Sequence, residues 1–275
     1  MINKANLSRD ILFGVTVIFW FALYAYTPFV NPQLIVMGAT ASVMGFIGGA
    51  YGFTQFFLRI PVGVISDKWQ KKFFICTGCF FAGLAGLIMF LFHNPTGFLI
   101  GRALGGVSAA SWVPFTVLYA SYYRAEDSTR SITIINIANQ LGRLLSFLVA
   151  AWIASWFGTQ SAFLLSAVVG FLGLGLSLLI KEEKAVEEKK PATVRELIAV
   201  GGDRNVLITS ILAVLVQIVA FATYTTFTAN HAVYIGATLA QLGYVQMALL
   251  LPGIVMSLFL SKYILRFLKL LPWKK

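Results

Sequence analysis

Stretches of about twenty consecutive apolar residues recur along this chain, and they limit its possible folds more than any other feature. A helix rises 1.5 Å per residue, so some twenty residues cross the ~30 Å hydrocarbon layer of a bilayer. Eight such stretches are expected to be helices: Ile11–Val30, Ala41–Ile65, Phe73–Phe92, Phe98–Ala120, Ser131–Trp156, Ala162–Ile180, Val206–Thr228 and Ala240–Leu260. The breaks between them hold helix-ending chemistry: Asn31-Pro32, Ser66-Asp67, His93-Asn94-Pro95-Thr96-Gly97 and Gly158-Thr159-Gln160. Only 11% of the 275 residues are charged and 59% are hydrophobic, whereas soluble domains carry roughly a quarter charged residues. That much apolar surface needs lipid as its solvent, and backbone polar groups in lipid must be satisfied within helices or closed barrels. The expected fold class is all-α, a polytopic transmembrane helical bundle.

The net charge of +11 would suit a nucleic-acid partner, but the basic residues do not form one patch. They fall into alternate loops. Lys4 and Arg9 precede the first run, and Lys68, Lys71 and Lys72 follow the second. Arg124 and Arg130 follow the fourth, six lysines and arginines lie between Lys181 and Arg204, and Arg266, Lys269, Lys274 and Lys275 close the chain. The intervening loops, Asn31–Thr40, His93–Gly97, Phe157–Ser161 and Ala229–Thr238, contain no lysine or arginine. The positive-inside rule then predicts a multi-pass protein of the cytoplasmic membrane with both termini cytoplasmic, a lipid bilayer as its partner and no nucleic acid. The first run has full spanning length behind Lys4 and Arg9, so no cleavable targeting segment is expected.

Three domains are expected: a six-helix unit over 1–180, a charged cytoplasmic linker over 181–205 (KEEKAVEEKKPATVRELIAVGGDRN), and two helices of a second, incomplete unit over 206–275. A shift of 198 places Gly45 on Gly243, Gly63 on Ser261 and Lys68 on Arg266, which suggests that the last two helices repeat the first two. Cys76 and Cys79 are spaced as C-x-x-C inside an apolar run, with no second pair and no nearby histidine, and are read as small lipid-embedded residues. No metal, cofactor or Walker motif is expected. A membrane enzyme would need acids or a metal cluster near His93 or His231, and the loops around them hold no acidic residue.

The segment Gly63-Val64-Ile65-Ser66-Asp67-Lys68-Trp69-Gln70-Lys71-Lys72 carries a glycine suited to close helix approach. It also carries a carboxylate able to meet a helix N-terminus or a cation, and a run of lysines. It resembles the signature loop of the major facilitator superfamily, G-x-x-x-D-[RK]-x-G-[RK]-[RK], departing from it at Gln70. Arg102-Ala103-Leu104-Gly105-Gly106 is similar to the family's R-x-x-x-G motif in the fourth helix. The family's fifth-helix antiporter motif is absent, since Gly142 is followed by Arg143-Leu144-Leu145-Ser146. The resemblance covers the whole chain, which looks like the first eight of twelve family helices. It implies a secondary transporter working by alternating access, a gating loop of Gly63, Asp67, Lys68, Lys71 and Lys72, and a cavity lined by the first, fourth, seventh and tenth helices.

Charge inside a bilayer is costly and usually functional. Arg59, Arg102 and Arg143 lie within the expected spans, and no aspartate or glutamate does. Asn136, Gln140 and Arg143 repeat at i, i+4, i+7 with Asn139 alongside, one polar stripe on an otherwise apolar helix. Arg59 is expected to snorkel toward the cytoplasm; Arg102 faces either the outer interface or the cavity. Trp20, Tyr24 and Thr27 share one helix face, as do Gln217, Phe221, Tyr224 and Thr228. The expected cavity residues are Arg143, Gln140, Asn136, Arg102, Tyr24, Gln217 and Tyr224. Glycines crowd the second run (Gly45, Gly48, Gly49, Gly52) and the fourth (Gly101, Gly105, Gly106), and both are read as close helix crossings. The partners are a small-molecule substrate, with a slight lean toward an anionic or carboxylate-bearing solute, and a coupling ion (a proton or another). The alternative is a truncated, non-transporting fragment or partial subunit of such a transporter.

Overall fold

The structure, a computed structural model, describes residues 4–182, 202–220, 228–238, 241–253 and 255. Among these the fold is all-α. The helices are α1 (Lys4–Ala25), α2 (Thr27–Val36), α3 (Ala41–Lys68), α4 (Lys71–Leu91), α5 (Pro95–Ala110), α6 (Trp112–Ser121), α7 (Ser128–Phe157) and α8 (Gln160–Ser177). They are followed by α9 (Arg204–Ala220), α10 (Thr228–Tyr234) and the apolar α11 (Leu242–Gly253). Among the described residues five stretches are long and apolar enough to cross a membrane: Asn6–Val36, Lys71–Leu91, Pro95–Ser121, Ser128–Phe157 and Gln160–Ser177. The second expected span is present as the 28-residue α3, whose glycines, Thr54, Gln55 and Arg59 dilute its hydropathy.

Local chemistry explains the breaks. The first span bends at Tyr26, where Pro28 opens α2, and the fourth bends at Ser111 ahead of Pro114. Proline has no N–H to give the preceding turn, so each long helix is divided there. Two expected breaks are displaced. Asn31-Pro32 lies inside α2, which runs on to Val36 and turns at Gly38 with φ of 76°. Ser66-Asp67 lies inside α3, which stops only at Trp69. The turn before α5 forms as its sequence implies: Asn94 Oδ1 accepts from Gly97 N at 2.8 Å and Pro95 takes the first helical turn. α10 occupies part of a stretch expected to be a loop.

The bundle closes through α4 on α8, α3 on α5, and α1 on α7 and α8. In lipid, small residues let helices approach until van der Waals contact is dense. At Gly86 a Cβ would strike Ser166 Oγ and the Phe163 carbonyl, and at Gly170 it would strike the backbone of Gly83. The glycine crossing expected in α5 forms against α3 and α4, whereas among the described residues nothing meets the glycines of the crossing expected in α3. Gly45, Gly48, Gly49 and Gly52 have nothing within 4 Å of a built Cβ among the described residues. Gly63 lies 3.6 Å from Val113 by the same measure, an ordinary contact that leaves room for a side chain. Gly243, in α11, seats on Phe147 and Ala151 of α7; the other positions of the suggested repeat, 261 and 266, lie outside the described residues. The bundle has a basic end, carrying Lys68–Lys72 and Arg124–Arg130, and an opposite neutral end carrying His93 and Gly158.

Candidate solute-binding site

Two arginines come to rest on tyrosine rings inside the bundle. On α7, Gly142 allows a close crossing with α1: a Cβ there would collide with the Val17 carbonyl and approach Trp20 Cβ. The next residue, Arg143, is thereby laid over the Tyr24 ring, 4.4 Å from guanidinium carbon to ring centroid. Arg143 Nη1 donates to Gln140 Oε1 at 3.2 Å. The α3–α5 crossing does the same for Arg102. Gly106 meets Thr54 and the Tyr51 backbone, Gly105 meets the Tyr26 hydroxyl, and Thr54 Oγ1 donates to the Ala103 carbonyl at 2.8 Å. Arg102 then lies 4.7 Å from the Tyr51 ring centroid and only 8% exposed, so it points into the protein and not to the outer interface.

These placements converge. The Tyr51 side chain lies within electrostatic reach of Arg102, Arg143, Tyr24 and Tyr26 at once. Each arginine carries a full charge that lipid would reject, and an aromatic face offsets part of that cost, up to about 2 kcal/mol when desolvated. Trp20 packs its ring against Tyr24 and Trp112, and its buried Nε1 has no hydrogen-bond partner among the described residues. The side chains gathered here are mostly hydrogen-bond donors. The described acids, Asp10, Asp67, Glu126, Asp127, Glu182 and Asp203, all lie outside this cluster, toward the basic end or the start of α9.

The other expected residues sort differently. Gln140 is half-buried beside Arg143, whereas Asn136, one turn nearer the basic end, is exposed. Gln217 is exposed on α9, a helix with no buried residue, and Tyr224 lies outside the described residues. Arg59 is exposed on α3 and does not join the cluster. In the signature loop, the exposed Asp67 places Oδ1 3.9 Å from Nζ of the half-buried Lys71, an i,i+4 pair. Lys72 Nζ donates to the Leu178 carbonyl at 2.7 Å, while Lys68 is exposed. Sequence reading missed Tyr26, Tyr51 and Glu182. The tyrosines sit on helices whose facing could not be fixed without partners, and Glu182 is 111 residues from the backbone it binds. Cys76 and Cys79 are free thiols, and Cys76 Sγ accepts from Ser177 Oγ at 3.1 Å.

Comparison with known proteins places this geometry in a lineage. The chain is 33% identical over 141 residues to an uncharacterized transporter of Buchnera aphidicola subsp. Schizaphis graminum, covering 51% of this chain and 36% of the relative. It is 28% identical over 180 residues to an uncharacterized MFS-type transporter of Methanocaldococcus jannaschii, covering 62% and 44% respectively. The chain thus spans less than half the length of these relatives. The fold is shared with the crystal structure of a bacterial homologue of the human lysosomal transporter Spinster, inward-facing and unoccupied. The TM-score is 0.75 at 14% identity, covering 99% of this chain and 66% of that one. The family model described as Major Facilitator Superfamily matches residues 12–274. With apolar helices of spanning length and a match along nearly all its sequence, the chain is a multi-pass membrane protein that belongs to the Major Facilitator Superfamily.

Proposed function

We propose that the chain serves secondary active transport of a small anionic or carboxylate-bearing solute across the cytoplasmic membrane, by alternating access and with a coupling ion such as a proton. The observation that carries this reading is the pair Arg102 and Arg143, each fixed on a tyrosine ring within a donor-rich interior. Guanidinium presents a planar fork that matches a carboxylate, and in a low-dielectric interior such a bond is strong. The transporter names of the relatives support the general class. Solute sites of secondary transporters lie near mid-membrane, and Arg143 is the sixteenth residue of the 30-residue α7. In this reading Lys68–Lys72 and Arg124–Arg130 face the cytoplasm, the six-helix unit over 1–180 forms one half, and 181–205 links it to the second.

The test is uptake and binding of carboxylate solutes by a twelve-helix protein containing this chain, with Arg143→Lys and Arg143→Ala compared. Losing a charge-assisted pair costs about 1.5–3 kcal/mol, so Arg143→Ala should weaken binding by roughly ten- to a hundredfold, with Arg143→Lys intermediate. Unchanged binding and transport in Arg143→Ala would sink the assignment.

A further inference from the structure

We propose that a second site, a cleft at the basic end of the bundle, binds a zwitterionic solute carrying both an amine and a carboxylate. The cleft has a volume of about 580 Å³ and lies between α1, the end of α6 and the start of α7. That size is within the range of small-molecule sites. Arg130 precedes Arg143 by thirteen residues on α7, about 20 Å at helical rise, so this cleft is distinct from the mid-membrane arginines.

Its two walls have different chemistry. On α1, Arg9 is already satisfied: its Nε and Nη2 each reach Asp10 Oδ1 at 3.0 Å, and its guanidinium lies 5.8 Å from the Tyr123 ring centroid. That pair is neutral as a unit and braces the wall. On the other side Asp127 and Arg130, three residues apart, are both exposed, and no ion pair or side-chain hydrogen bond engages either among the described residues. They offer one negative and one positive charge to the same space. Between the walls the Tyr119 and Tyr123 hydroxyls share one hydrogen bond at 3.3 Å, which leaves the second hydroxyl proton to donate outward. Phe13 and Ile134 supply apolar lining for a hydrocarbon side chain. With four charges summing to zero, the cleft complements a zwitterion. Arg130 takes the carboxylate through its planar fork and Asp127 takes the ammonium.

The assignment rests on the reading of the chain as a solute carrier, and adds a recognition station at the basic end. The test is calorimetry on the full chain in lipid nanodiscs with three matched probes: L-leucine, 4-methylpentanoate (no amine) and 3-methylbutylamine (no carboxylate). L-leucine should bind at least about tenfold more tightly than either single-charge probe. Arg130→Gln should weaken L-leucine and 4-methylpentanoate by about tenfold and spare the amine, whose retained binding shows the variant is folded. Asp127→Asn should do the converse; both comparisons are repeated in an Arg143→Gln background, which removes carboxylate binding at the mid-membrane arginine and leaves that of the cleft. The cleft is refuted if L-leucine does not bind, binds no tighter than its analogues, ignores both substitutions, or is lost only in Arg143→Gln. If the binding pattern holds but proteoliposomes of the twelve-helix protein move no solute, the carrier reading fails and the cleft stands.

Discussion

The carboxylate of Glu182 caps the helix that Lys71 begins: Oε1 accepts from Lys71 N and Oε2 from Lys72 N, each at 3.1 Å. The local residue at this position, Gln70, makes no side-chain cap, and the first turn of α4 holds no acid of its own. An anion there satisfies orphan N–H groups and meets the positive end of the helix dipole. Around it, Lys72 Nζ reaches the Leu178 carbonyl, Tyr122 donates to the Lys181 carbonyl at 2.8 Å, and Lys181 N donates to Ser8 Oγ at 3.3 Å. The exit of α8 is thereby stitched to α1, α4 and α6.

Glu182→Ala should therefore lower stability by about 1 kcal/mol, with Glu182→Gln intermediate because it keeps acceptor capacity without charge. Cys76 reports on the same seam, since it contacts Ser177. In a Cys79→Ser background, maleimide labelling of Cys76 should accelerate in Glu182→Ala; an unchanged rate would show that the cap does not hold α4 to α8.

Glycines that look alike in sequence should respond in opposite directions. At Gly142 an added methyl meets the Val17 carbonyl, so Gly142→Ala should cost about 1–3 kcal/mol by overpacking. At Gly48 nothing lies within 4 Å among the described residues, so Gly48→Ala should be neutral or stabilise by roughly 0.5–1 kcal/mol through helix propensity. Thermal unfolding in detergent separates the two, and equal effects would contradict the crossing.

Among the described residues the exposed Asp67 is joined only to the half-buried Lys71 at 3.9 Å, and ion pairs open to solvent contribute about 0–1 kcal/mol. Asp67→Asn should then leave thermal stability within about 0.5 kcal/mol of the parent. The gating role implied by the family motif predicts slower transport at that unchanged stability. A large loss of stability would mean instead that the residue is structural.

Sidedness is tested by thiol labelling in intact cells after removing Cys76 and Cys79. Thr96→Cys is exposed at the neutral end and spares the Asn94 cap. It should label from outside, and Glu188→Cys should not. The reverse pattern overturns the orientation inferred from lysine and arginine.

The sequence by itself determined that the chain is helical and membrane-embedded. Apolar runs of spanning length leave the backbone no other way to satisfy its hydrogen bonds in lipid. It also determined the cap and turn at Asn94-Pro95, and the presence of arginines without acids in the spans, because these depend on neighbours in the chain or on composition alone. Which glycines bring helices together depended on what lies opposite them. Gly142 and Gly106 have a partner backbone, while Gly45 and Gly48, in an equally glycine-rich stretch, have none among the described residues. The same holds for the charges. Only the tertiary structure put Arg102 over Tyr51 and Arg143 over Tyr24, and only it delivered Glu182 to Lys71 across 111 residues. A helix's period fixes which residues share a face, and the direction of that face is set by the neighbours against which it packs.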